Sequence, residues 1–254
     1  LNEGESIENI MRCIFEQGRN IILYDINEYY LRGSYLLNID INEAFKYFKL
    51  AAEQNYIPSF YIIGNFYMEG IGVKQDLTLA INYFNKSASN GDADALYQLG
   101  IIYDNGLGVN QNYNKAVKYY ELSVENGNFD AYFQLGYHYE NGFGVNQDYQ
   151  KAIECYKKAP NNQYALLQLG NFHFYGKGCN KNYKEAKKYF ELAAEQKNSI
   201  ALNFLGLIYL YGYDVSRDIS RAINYFRLSA EQNFPTAYSN IAIIYFNGIG
   251  VQKN

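Results

Sequence analysis

From Asp94 to Asp130 the chain reads DALYQLGIIYDNGLGVNQNYNKAVKYYELSVENGNFD, and this stretch decides the fold. Ala95, Leu99 and Tyr103 recur every fourth residue, with Leu96 and Ile102 on the shoulders, which makes one apolar stripe of a helix, here helix A. NGLGV then ends it: Gly106 suits a left-handed cap, Gly108 a tight turn, and Val109 an apolar plug. Asn112 is placed to cap a second helix, helix B, by accepting from its first free N–H groups. Inside helix B, Ala116, Tyr119, Tyr120 and Ser123 put small and aromatic residues at helical spacing, and Gly127 ends it in the left-handed region. Small residues allow close approach while aromatics fill the space between layers.

The unit recurs along the chain. Gly64, Gly100, Gly136, Gly170, Gly206 and then Ala242 follow one another at intervals of 36, 36, 34, 36 and 36 residues. Ala44, Ala80, Ala116, Ala152, Ala186 and Ala222 form a second series with the same set of intervals, and Asp40, Asp76, Asn112, Asp148, Asn182 and Asp218 form a third, read as helix-B caps. A glycine such as Gly100 inside a helix costs about 1 kcal/mol relative to alanine, and close backbone contact with the neighbouring helix is the compensation expected. The predicted fold is all-α: a right-handed superhelical solenoid of antiparallel helix pairs, with about fourteen helices.

Two irregularities set the domain plan. Pro160 stands where other repeats have Ala88 or Val124, and the unit around it is two residues shorter, so its helix B is expected to finish early. Residues 1–19 read as an N-terminal half-repeat, a helix B capped by Ser6 and ending near Gly18, followed by a degenerate helix A over 20–33. Residues 20–254 then hold six to seven repeats, the last without a helix B, so that Ile249 and Val251 are expected to lack a partner. Terminal repeats normally carry a polar face, and a longer native chain or end-to-end self-association is the expectation.

Bulk composition narrows the function classes. With 254 residues, 48% of them apolar, a large core can form; the formal net charge of −4, with scattered cations, gives no footprint for nucleic acid. No apolar run approaches the roughly 20 residues of a membrane span, and LNEGESIENI lacks the regions of a signal peptide. Cys13, Cys155 and Cys179 are odd in number and share no repeat register, which favours a reducing compartment and a cytoplasmic location, although a start at Leu1 leaves room for a targeting segment removed from the chain.

The pattern A-x-x-x-L-G-x-x-Y-x-x-G-x-G-V-x-x-D/N-x-x-x-A-x-x-Y-F/Y, carried by Ala95–Tyr120 and again by Ala131–Tyr156, resembles the Sel-one-like repeat (SLR) family of the tetratricopeptide-like superfamily. The resemblance covers roughly residues 20–254, and the 36-residue period with its GxGV turn selects this branch over tetratricopeptide repeats. Cys179, Asp214 and His173 depart from the pattern at the loop valine, the second loop glycine and the helix-A tyrosine. The resemblance implies a protein-interaction scaffold or adaptor. It also implies that helix A lines a concave face.

On that face the expected partner-binding residues are Tyr61 and Asn65; Tyr97, Gln98 and Ile101; Phe133, Gln134 and Tyr137; Gln168 and Asn171; and Asn203, Phe204 and Leu207. Tyrosine offers rigid contact area and Asn or Gln can bond a partner's backbone, which suits a protein or peptide segment. Packing of the same residues between repeats is the competing expectation. The alternatives for function are a structural module that stacks through its last repeat, and a regulatory segment of a larger signalling protein. The Gly-rich loops follow helices rather than strands and lack the GK[ST] ending, so no nucleotide site is read from them. His138 and His173 fall in packing slots without repeating carboxylates, and Cys155 stands in the slot of Tyr119, so neither a metal site nor a Cys–His nucleophile is expected. No cofactor and no catalytic activity are predicted.

Overall fold

A computed structural model describes residues 26–250. The half-repeat expected over residues 1–19, and Val251, lie outside the described residues. Thirteen α-helices and no strand occur among the described residues, as the helical solenoid class requires. The chain divides into two compact units, Leu1–Asn128 and Phe129–Asn254.

Among its described residues the first unit contains α1 (Ile26–Leu36), α2 (Ile41–Glu53), α3 (Ile57–Glu69), α4 (Leu77–Ala88), α5 (Ala93–Asn105) and α6 (Tyr113–Glu125). The second contains α7 (Ala131–Asn141), α8 (Tyr149–Lys157), α9 (Gln163–Tyr175), α10 (Tyr183–Glu195), α11 (Ser199–Tyr211), α12 (Ile219–Glu231) and α13 (Pro235–Asn247). Odd-numbered helices are helix A and even-numbered ones helix B. Within each unit, every helix packs chiefly on its neighbours in sequence.

The glycine of each LG or IG pair is a socket for a ring. A Cβ added at Gly64 or Gly100 would stand 2.6 or 2.4 Å from the ring of Phe84 or Tyr120, and at Gly136, Gly170 or Gly206 it would stand 2.4–2.6 Å from Tyr156, Phe190 or Phe226. Each of these rings is fully buried. The compensation for a helical glycine is thus a close fit between helix A backbone and a helix B aromatic of the same repeat, rather than backbone against backbone. Gly33 belongs to this series too, with its Cβ site 3.0 Å from Phe48. For that reason α1 runs through Gly33 to Leu36 instead of ending there as the sequence suggested.

All six expected helix-B caps form. Asp40, Asp76, Asn112, Asp148, Asn182 and Asp218 each accept a backbone N–H from the first turn of the helix they precede. Three helix-A caps, Asp92, Asn162 and Asn198, do the same for α5, α9 and α11. Where this cap is missing, α3 and α13 begin with Pro58 and Pro235, whose fixed φ suits a first turn. Asn55, Gly91, Gly127 and Asn233 take the left-handed conformation at helix-B ends, as expected. α8 stops after 9 residues, before Pro160, while most other helices have 13.

The loops between A and B carry a second close fit. The second loop glycine docks on the start of the preceding helix B: Gly72 on Ile41 and Gly108 on Leu77 in the first unit, Gly178 on Tyr149 and Gly250 on Ile219 in the second. A glutamine just before three of the caps clamps the loop by donating from Nε2 to the last turn of helix A: Gln75 to Met68 O, Gln111 to Asp104 O, Gln147 to Glu140 O. Ile249 is not without a partner. It packs on the cluster of Phe226 and Ile244, with the last loop folded back so that Gly250 meets Ile219.

Candidate functional site

The helix-A face is built on the sockets. In the first unit, Tyr61 and Tyr97 lie at 5.9 and 5.8 Å from the seated rings of Phe84 and Tyr120, half-buried with one edge to solvent. Ile101 is half-buried one turn on. Tyr61, Asn65 and Gln98 come together in one cavity of about 400 Å³, lined also by Leu37, Ile41, Ile62, Phe66, Glu69 and Ile71. Leu37 and Ile71 are exposed there. Gln98 Oε1 is buried in this wall without a hydrogen-bond partner. A buried acceptor left unpaired costs about 1–3 kcal/mol, and a partner's backbone N–H would remove that cost.

In the second unit the corresponding amides are engaged with one another. Tyr156 donates its hydroxyl to Glu140 Oε2 at 2.8 Å, Gln168 Nε2 donates to the same oxygen at 3.0 Å, and Asn171 Nδ2 donates to Gln168 Oε1 at 2.8 Å. Asn171 Oδ1 ends this chain buried and unpaired. Burial first, and the Glu140 carboxylate second, push the Tyr156 hydroxyl far above the usual tyrosine range. Phe133 packs on Tyr156 and Tyr164, and Phe204 stacks on Phe190 with centroids 4.7 Å apart. Asn203 is buried and accepts from Asn240 Nδ2, while Leu207 packs toward the core around Phe226. Gln134 is half-buried, and Tyr137 is the most open of the face residues at 41% exposure.

Glu140 was not singled out from the sequence, although a signal existed. Four residues after the socket glycine stand Met68, Asp104, Glu140, Phe174 and Leu210, and the seated rings are Phe84, Tyr120, Tyr156, Phe190 and Phe226 in the same order. An acid occurs only opposite a tyrosine. Tyr120 donates to Asp104 Oδ2 at 3.4 Å just as Tyr156 does to Glu140. A buried hydroxyl needs an acceptor, whereas a phenyl ring does not.

His138 and His173 occupy packing positions. His138 is fully buried with Nδ1 at 2.8 Å from Phe143 O, and His173 stacks on Tyr189 as Tyr103 stacks on Tyr119. Cys155 is half-buried in the slot of Tyr119. The structure does bring Cys179 Sγ to 3.6 Å from His173 Nδ1. Burial raises the thiol's pKa and lowers the imidazole's, so both stay uncharged near neutrality and the pair lacks the thiolate that nucleophilic chemistry requires. Among the described residues no group of three or more His, Cys, Asp or Glu is placed to hold a metal ion, and no helix is long and apolar enough to cross a membrane.

With this geometry in place, comparison with known proteins is informative. The Sel1 repeat profile matches residues 28–56, 61–92, 93–128, 129–159, 163–198, 199–234 and 235–254. Among solved structures, a protective antigen present in uropathogenic Escherichia coli strains, displaying an SLR fold, is similar at TM-score 0.86 and 29% identity over 98% of this chain. The chain spans about half of that antigen, 53% of its length. A Sel1 repeat protein from Oxalobacter formigenes is similar at TM-score 0.78 and 28% identity, over 89% of this chain and 92% of that one. No curated protein is close enough in sequence to count as a match.

Proposed function

We propose, since this chain belongs to the Sel1 repeat family, that it is a scaffold which grips an extended or helical segment of a partner protein along its helix-A face. Sel1 repeat proteins mediate protein–protein interaction. The observation that carries the finer reading is the unpaired Gln98 Oε1 in the wall of the cavity beside Tyr61 and Asn65. Exposed apolar side chains at its rim supply contact area, and the amide supplies an acceptor for a backbone N–H. No reaction is assigned to the chain.

Selection of a displayed peptide library on the full chain, followed by titration of the selected peptide, tests the reading. Gln98→Leu keeps the volume and removes the acceptor. If the amide serves binding, this variant is as stable as the parent or more so, by about 1 kcal/mol, yet binds the peptide about tenfold more weakly. Unchanged affinity in Gln98→Leu, or selected peptides that bind elsewhere, would remove the groove from the proposal.

A second reading rests on α13, where Tyr238, Ile243 and Phe246 are 55%, 51% and 68% exposed. Such a face suits stacking on another chain. Light scattering across concentration tests it: a strictly monomeric chain removes this reading, and dissociation by Phe246→Glu supports it.

A further inference from the structure

Around one loop of the second unit the repeat pattern is broken at Lys187, Arg217 and Asp214. The position five residues after the helix-B cap holds Phe45, Ile81, Val117, Ile153 and Ile223 elsewhere, but Lys187 in α10. The loop clamp, a glutamine in three repeats, is Arg217, whose Nε donates to Leu210 O at 2.9 Å and keeps the clamp while adding charge. Three residues after the cap of α12 stands Arg221, a cation over Tyr209 as Lys115 and Lys151 are over Tyr103 and Tyr139. The second loop glycine is replaced by Asp214, held left-handed at φ 50, and Tyr213 beside it stacks on Tyr183 with centroids 4.5 Å apart.

Lys187, Arg217 and Arg221 line one cavity of about 700 Å³ together with Tyr209, Val215, Ser216, Asp218 and Ile219. Tyr209, only 6% exposed, anchors it. Its ring stacks on Tyr225, and its hydroxyl accepts from Arg221 Nη1 at 3.1 Å, so the hydroxyl proton is left to donate. Lys187 pairs with Glu191 at 2.6 Å and stands beside the same tyrosine. Asp218 is occupied by capping the Arg221 N–H, and its second oxygen lies 3.8 Å from Arg221 Nε. Arg217 makes no ion pair among the described residues. Three cations thus face two carboxylates, one of them engaged as a helix cap, in a chain whose net charge is −4.

We propose that this cavity is an anion-binding pocket that receives a carboxylate or phosphate group of a ligand. Arg217 and Arg221 offer guanidinium forks, Lys187 an ammonium, and Tyr209 a neutral donor whose position is fixed by its stack. The cavity has room for a carboxylate or phosphate carried on a larger molecule. This site lies in the second unit and is independent of the amide-lined cavity of the first. It stands or falls without the groove.

Other repeats supply the control variants. Lys187→Ile and Arg217→Gln install the residues that equivalent positions already carry, so the double variant removes two charges while restoring an apolar slot and a glutamine clamp. Full-length parent and double variant are titrated with inorganic phosphate and with acetate, following backbone amide shifts of residues 213–221, and thermal midpoints are compared. The expectation is saturable shifts in the parent, an affinity about tenfold lower in the double variant, and a thermal midpoint unchanged or higher. Tighter binding of phosphate assigns a phosphate-bearing ligand and tighter binding of acetate a carboxylate-bearing one. Absence of saturable shifts with both anions, or equal affinity in parent and double variant, overturns the proposal.

Discussion

Replacement of Gly170 by alanine sets helix propensity against packing, and the two predict opposite signs. Propensity alone favours alanine by about 1 kcal/mol. In the structure, however, the new Cβ would lie 2.4 and 2.5 Å from Phe190 Cε1 and Cδ1 and 3.0 Å from Cζ. Carbon atoms rest about 3.5–4.0 Å apart, so the ring must move by about 1 Å. It has little room to do so, since Phe190 is fully buried and stacks on Phe204 with centroids 4.7 Å apart. Overpacking of this kind costs about 1–3 kcal/mol; for a fully buried, stacked ring the upper half of that range applies, and a net loss of about 1–2 kcal/mol remains. The midpoint of thermal unfolding followed by circular dichroism should therefore fall by roughly 2–8 °C. In a Phe190→Leu background the socket is partly empty, and Gly170→Ala should become neutral or stabilising. A higher midpoint for the single variant, or additivity of the two changes within about 0.5 kcal/mol, would refute the socket.

Three other outcomes are expected. Asp148→Ala and Asn198→Ala each remove a cap bond and should each lower stability by about 1 kcal/mol, read by urea denaturation, with Asn198 at the upper end because it is 4% exposed. Tyr156→Phe and Glu140→Leu should each destabilise, yet the double variant, which recreates the Phe and Leu pairing of Phe226 with Leu210, should recover part of the loss; a double variant worse than the sum would remove the hydroxyl–carboxylate account. Because burial raises the pKa of Tyr120 and Tyr156, the unfolded chain gives up these protons first. Their contribution is intact below about pH 10 and is lost as pH rises toward the raised values, at about 1.4 kcal/mol per pH unit per tyrosine; thermal midpoints between pH 9 and 11.5 should fall less steeply in Tyr156→Phe.

The periodicity carried the fold in the sequence because each recurrent residue has a local job. Asp76 or Asn182 can be recognised as a cap from its distance to the next stripe alone, and Gly106 as a helix end from the second glycine and valine just beyond it. The partner of a socket glycine is less visible. Gly64 and Phe84 lie twenty residues apart in sequence, on different helices, and only packing joins them. Gly33 escaped notice because a shorter first loop places its ring, Phe48, fifteen residues away instead. The helix-A caps Asp92, Asn162 and Asn198 were legible, each three residues before the alanine of the stripe. On the helix-A face the residue types were legible and their bonding was not: Gln98 and Gln168 occupy one slot, yet one is unpaired and the other is tied to Glu140.

Each of these fits closes over a short stretch of chain. A socket and its ring, a clamp and its carbonyl, a loop glycine and the helix start beneath it all lie within about one repeat of each other. A recombination event that duplicates or deletes one whole period therefore moves both halves of every fit together, and the junction it leaves has the same complementarity as any other. Array length is accordingly easy to change by copy number, whereas an insertion or deletion of a few residues within a period would strand a ring without its hollow.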